Sequence, residues 1–141
     1  MTEQPCFDVA HLGHLELLTN RPEESLDFFV NVYGLTESGR EGDSVYLRGW
    51  DDYEFHTLKL TAAATTGMAH VGYRASSQAA LERRVAAIEA MGCGIGWSEG
   101  DLGHGRACSG AGRQCLGSQA LLRRCSNMSS TAALGAGRPN R

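Results

Sequence analysis

The chain has 141 residues and an ordinary 42% apolar fraction, enough for one domain with its own core. Its 13 Lys+Arg and 16 Asp+Glu give a formal net charge of −3, but the charges are segregated. Residues 1–101 hold 7 basic and all 16 acidic residues, whereas residues 102–141 hold 6 Arg, no acid, no aromatic residue and three of the five cysteines.

The first residues form neither a basic n-region nor an apolar run, so no signal peptide is expected. No stretch approaches the about 18 apolar residues of a membrane span. The cysteines are odd in number and lack C-x-x-C spacing, which reads as reduced thiols of a cytoplasmic protein. The basic tail has no Lys, no aromatic for base stacking and only scattered Arg, so nucleic acid is not an expected partner.

The alternation of His11–Thr19 predicts a strand. Asn20-Arg21-Pro22 reads as a turn, with Pro suited to a first helical position. Glu23–Tyr33 reads as a helix, its two Glu complementing the helix N-terminus, Leu26, Phe29, Val30 and Tyr33 on one face, and Gly34 closing it. Three short strands follow, Thr36–Ser38, Val45–Trp50 and His56–Thr61. The pattern then restarts: strand Met68–Ala75, an N-cap in Ser76-Ser77, helix Gln78–Met91, Gly92 as its stop, and a strand over Cys93–Ser98. No convincing strand is read after that. His14 and His70 hold equivalent places in the two copies.

The fold class is therefore α+β, two tandem βαβββ modules with the second incomplete. Module one spans 7–62 and module two 66–105. Residues 106–141 are expected to be a disordered tail outside the modules. An unfinished second module leaves a sheet edge unpaired, which favours association through sheet edges.

Five segments carry a resemblance in the right order: His11–Leu17, Ser25–Leu35, Ser44–Trp50, Gly67–Tyr73 and Gly100–Gly105. Together they resemble the amino-terminal domain of the type I extradiol (catechol 2,3-) dioxygenases of the vicinal oxygen chelate superfamily. The resemblance implies paired βαβββ modules around a cleft, Fe(II)- and O2-dependent meta-cleavage of a catechol-type substrate, and an iron held by a second, carboxy-terminal domain. It gives His14 and His70 as counterparts of two metal ligands, with the third a Glu on the last strand of the second module. Gly117-Ser118 stands there, and no carboxylate follows Asp101. The expectation is an inactive domain with no catalytic residue of its own that does not hold Fe(II) stably. Size alone also suits a small dimeric ligand- or metal-binding protein of the bleomycin-resistance or glyoxalase type.

The tail departs from the resemblance where a P-D-G-N turn and a V-x-E strand would stand. Read one nucleotide later, the codon junctions from Ser109/Gly110 to Gly117/Ser118 permit R-E-P-D-G-N-V-L-E. A reading frame lost near Arg106 accounts for the missing acids and aromatics.

Strand alternation puts His14 with Glu16 on one face of the first strand, and His70 with Gly72 and Arg74 on the equivalent face in the second copy. Leu15, Leu17, Val71 and Tyr73 face the helices. Glu16 is a weak substitute ligand, because His and Glu at i, i+2 crowd one side of a site. His11 reads as a strand-edge residue, His56 as a structural or rim histidine, and His104 as part of a Gly-rich connection. Arg48 and Arg74 could meet an anionic catecholate, but more often pair with a carboxylate.

Overall fold

The computed structural model describes residues 7–110 and 119–124. The first module is β1 (Val9–Thr19), α1 (Pro22–Asp27) running into a π-helical turn (Phe28–Val32), β2 (Thr36–Glu41), β3 (Ser44–Arg48) and β4 (Leu58–Ala62). The second is β5 (Gly67–Ala75), α2 (Gln78–Ala90), β6 (Gly94–Ser98), β7 (Ala107–Gly110) and β8 (Gln119–Arg124).

Among the described residues, eight strands form one sheet in the order β2-β3-β4-β1-β5-β8-β7-β6. Each module's first strand runs parallel to its last, β1 with β4 and β5 with β8, and the two first strands pair antiparallel at the centre. The sheet therefore has the near-twofold symmetry that tandem duplication predicts. The second module, expected to stop at residue 105, continues through β7 and β8. The edge of β5 expected to be open is paired with β8 over His70–Ala75. Residues 125–141 and the 111–118 segment, where the expected third ligand and most of the expected disordered tail fall, lie outside the described residues.

Local chemistry explains the element ends. Pro22 starts α1 with Glu23 and Glu24 in its first turn. Gly34 adopts φ +85 after the helix. The Ser77 hydroxyl accepts the Ala80 amide at 3.1 Å and caps α2, and Gly92 at φ +68 ends it.

The helix face of the sheet buries Leu47, Leu58 and Leu60 in module one. In module two, Ala80, Leu81 and Val85 of α2 pack with Ala75 and Cys108. Leu26, Phe29 and Val30 are half-buried, and Tyr33 is exposed. The opposite face carries Ser44, Tyr46, Lys59, Thr61, Glu16, His14, His70 and Arg74. Strand register places them in neighbouring rows. Loops 49–57 and 99–106 fold over this face. They meet where Gly103 approaches Phe55 so closely that a Cβ would fall 2.2 Å from the ring.

A candidate metal centre on the central strand pair

The register of β1 and β5 builds the site. His14 stands opposite Gly72, and Glu16 opposite His70. The near-twofold axis relates these two pairs, so the equivalent histidines become diagonal neighbours on one face. Gly72 makes room: a Cβ there would lie 2.3 Å from His14 Cε1 and 2.4 Å from Nδ1.

The two imidazoles meet edge to face, their Nε2 atoms 2.6 Å apart. His70 Nδ1 lies 2.6 Å from Glu16 Oε2. Glu16 accepts there, which puts a proton on Nδ1, and in the neutral ring His70 Nε2 then carries the lone pair. The Nε2 contact then has His14 donating to His70, unless a cation takes both lone pairs. Asp101 Oδ2 stands 3.6 Å from both Nε2 atoms. These three donor atoms lie within 4.8 Å of one another, the two histidines buried and Asp101 half-buried.

The carboxylates are held in turn. Glu16 accepts from the Thr61 hydroxyl at 2.6 Å and pairs with Lys59 at 3.3 Å. Burial pushes the Glu16 carboxyl up, but the hydrogen bonds from His70 and Thr61 and the Lys59 charge outweigh it and bring its pKa to about 2. Lys59 Nζ also donates to Asp101 Oδ1 at 2.9 Å. Burial opposes the Lys59 charge, yet Asp101 and Glu16 hold the ammonium above its ordinary range.

Two further imidazoles close the far side of His14. His56, 0% exposed, meets it edge to face at 4.8 Å between centroids, and His104 tilts against it at 4.9 Å. His56 and His104 stack on each other at 4.0 Å. His14, His56 and His104 form a second set of donor atoms close enough to hold an ion.

Arg74 does not face an open cleft. It is buried and donates through Nε to Glu54 Oε1 at 2.8 Å and through Nη2 to Oε2. His11 Nε2 also lies 3.2 Å from Glu54, and His104 Nε2 lies 3.5 Å from it. Burial pushes the Glu54 carboxyl up, but hydrogen bonds from His104 and Arg74 and the Arg74 charge hold it well below the usual carboxylate range.

The structure thus brings His14, His70 and Glu16 together as strand alternation predicts, with Glu16 behind His70 rather than beside it as a ligand. Sequence reasoning missed Asp101, Lys59 and Glu54, and placed His56 and His104 outside the site. The one local signal was the loop Gly100–Gly105, whose Gly100 and Gly103 take φ +89 and +72.

No model of a protein family matches the chain. Among curated proteins it is 51% identical over 105 residues to a metapyrocatechase of Geobacillus stearothermophilus, covering 74% of this chain and 32% of that protein. It is 34% identical over 102 residues to a manganese-dependent 2,3-dihydroxybiphenyl 1,2-dioxygenase of Geobacillus genomosp. 3, covering 71% of this chain and 32% of that one. The chain therefore spans about a third of the length of these relatives. Among solved structures, the 2,3-dioxygenase LapB of Pseudomonas sp. KL28 superposes with a TM-score of 0.77 at 25% identity, over 85% of this chain and 42% of LapB. The E323L mutant of homoprotocatechuate 2,3-dioxygenase from Brevibacterium fuscum superposes with a TM-score of 0.74 at 22% identity, over 85% of this chain and 33% of that one. Over its matched part, the chain is a homologue of metapyrocatechase that folds as the extradiol dioxygenases of the vicinal oxygen chelate superfamily do.

Proposed function

We propose that this chain is the amino-terminal domain of an extradiol ring-cleaving dioxygenase for catechol-type diols. In this reading the chain does not turn catechol over by itself, and, departing from the sequence expectation that it does not hold Fe(II) stably, His14 and His70 are ligands of a divalent metal ion. The relatives support the first part, because about a third of an extradiol dioxygenase is matched at 51% identity.

The observation that carries the second part is the convergence of His14 Nε2 and His70 Nε2 at 2.6 Å, with Glu16 fixing the His70 tautomer. Cis ligands about 2.1 Å from one ion stand about 3 Å apart, so the two imidazoles, in direct contact at 2.6 Å, need to part by only roughly 0.4 Å to hold an ion of that size. Imidazole with carboxylate suits Fe(II), the metal the resemblance implies. Fe(II) supplies open positions through which catecholate and dioxygen exchange electron density.

Closure of the site supports the absence of turnover. Catalytic metal centres keep positions open to substrate, whereas structural centres are closed. Here His14 is 2% exposed and is flanked by His56 and His104. The residues therefore bind and orient an ion, with Glu16 keeping the His70 proton on Nδ1.

The test is anaerobic loading of the chain with Fe(II), measurement of bound iron, then addition of catechol and air. The expected result is bound metal without the yellow ring-opened product. Ring opening at a catalytically useful rate would overturn the inactive assignment, and absence of any bound divalent metal would overturn the ligand assignment.

A further inference from the structure

We infer that Asp101 is the third ligand of this centre, supplying from the loop between β6 and β7 the carboxylate that the resemblance places on the last strand. The inference rests on the reading of His14 and His70 as ligands and adds to it.

Three observations converge. Asp101 Oδ2 is equidistant, 3.6 Å, from the two Nε2 atoms, so the donors form a nearly isosceles triangle with sides of 2.6, 3.6 and 3.6 Å. An ion about 2.1 Å from each donor takes the wider separations at angles between tetrahedral and trigonal, and the histidine pair reaches the cis spacing of about 3 Å by parting slightly. The second observation is the hold on the other oxygen. Lys59 Nζ donates to Oδ1 at 2.9 Å, and Oδ2 is the oxygen that stands 3.6 Å from both histidines.

The third is the organisation behind the ligands. Lys59 bridges Asp101 and Glu16, and Glu16 in turn orients His70. Carboxylates behind imidazole ligands, themselves hydrogen-bonded, are the usual support of a metal centre. Two imidazoles and one carboxylate on one side of a point also form a donor set suited to Fe(II) or Mn(II). The rival set, His14 with His56 and His104, holds three imidazoles and no carboxylate. Two of its members, His56 and His104, are stacked with ring centroids 4.0 Å apart. Stacked rings present their faces to one another, whereas a metal binds in the ring plane.

Mn(II) titration of the full chain by calorimetry tests this. Asp101→Asn is expected to weaken Mn(II) binding by at least about 100-fold, whereas His56→Gln changes it by less than about 10-fold, the lower end of what a supporting residue contributes. X-ray absorption on the Mn(II)-loaded wild-type chain reads the ligands without any substitution and is expected to count two imidazoles. Three imidazoles, or Asp101→Asn binding within threefold of wild type, would overturn the role of Asp101 while leaving the histidine pair intact. A wild-type chain that binds no Mn(II) would overturn both readings together.

Discussion

Gly72→Ala is the smallest change that reaches the centre. The added Cβ would sit 2.3 Å from His14 Cε1, 2.4 Å from Nδ1 and 3.1 Å from Nε2. Carbon contacts settle at about 3.5–4.0 Å, so the ring or the strand must move by more than about 1 Å. The ring has nowhere to go, because His56, His70 and His104 surround it with centroids 4.8–4.9 Å away. Overpacking of a tight interior costs about 1–3 kcal/mol, and this geometry belongs at the upper end. For a domain of this size that is roughly 10 °C in Tm. Because the displaced atom group is the His14 imidazole itself, Mn(II) affinity falls with stability. Thermal melting monitored by circular dichroism with and without Mn(II) measures both. A Gly72→Ala protein that melts within about 2 °C of wild type and binds Mn(II) equally would refute the packing of His14 against β5.

Glu54→Ala leaves the buried Arg74 guanidinium without its carboxylate and is expected to cost about 3–5 kcal/mol, whereas the double change Glu54→Leu with Arg74→Met recovers most of it; urea melts of both decide. Because the folded Glu54 carboxyl lies below its ordinary value, its contribution is fully present above about pH 4.3 and is lost as pH falls below that. Tm measured from pH 6 to 3 is therefore expected to drop in wild type and to drop less steeply in Glu54→Gln. Gly103→Ala forces a side chain onto a residue at φ +72 and a Cβ to 2.2 Å from the Phe55 ring, so it should lift the loop that carries Asp101 and lower Tm; limited proteolysis at 99–106 reports the lifting. Sequencing the gene across codons 100–120 in independent isolates is expected to reveal a one-nucleotide change near Arg106, and an intact frame there would remove that account of the tail.

The histidine pair was legible because two short-range rules determine it. Alternation fixes which face of a strand a residue occupies, and duplication says that His14 and His70 occupy the same place in each copy. The caps were legible for similar reasons: Ser77, Gly34 and Gly92 act within a turn of the helices they bound. What escaped reading depends on distance along the chain. Asp101 meets Lys59 42 residues away, and Arg74 meets Glu54 20 residues away, both through loops whose path no periodicity records. Strands β7 and β8 escaped because Ala-Cys-Ser-Gly and Gln-Ala-Leu-Leu-Arg-Arg have little β-branched content. Pairing with strands already in place overrides that weak preference. The first helix was read as regular throughout, yet it widens into a π-helical turn from Phe28 before Gly34.

The diagonal placement of the histidines across β1 and β5 has a consequence for assembly. A slip of one residue between these strands would turn one strand's whole set of side chains to the opposite face. His14 and His70 can meet only when the two modules have docked in a single alignment, so an ion held between them acts as a register lock on the seam. Its binding free energy adds to the stability of that alignment and to no other. Neither module could own such a site alone, so an ion bound there would favour the correct joining of the two halves over every near miss.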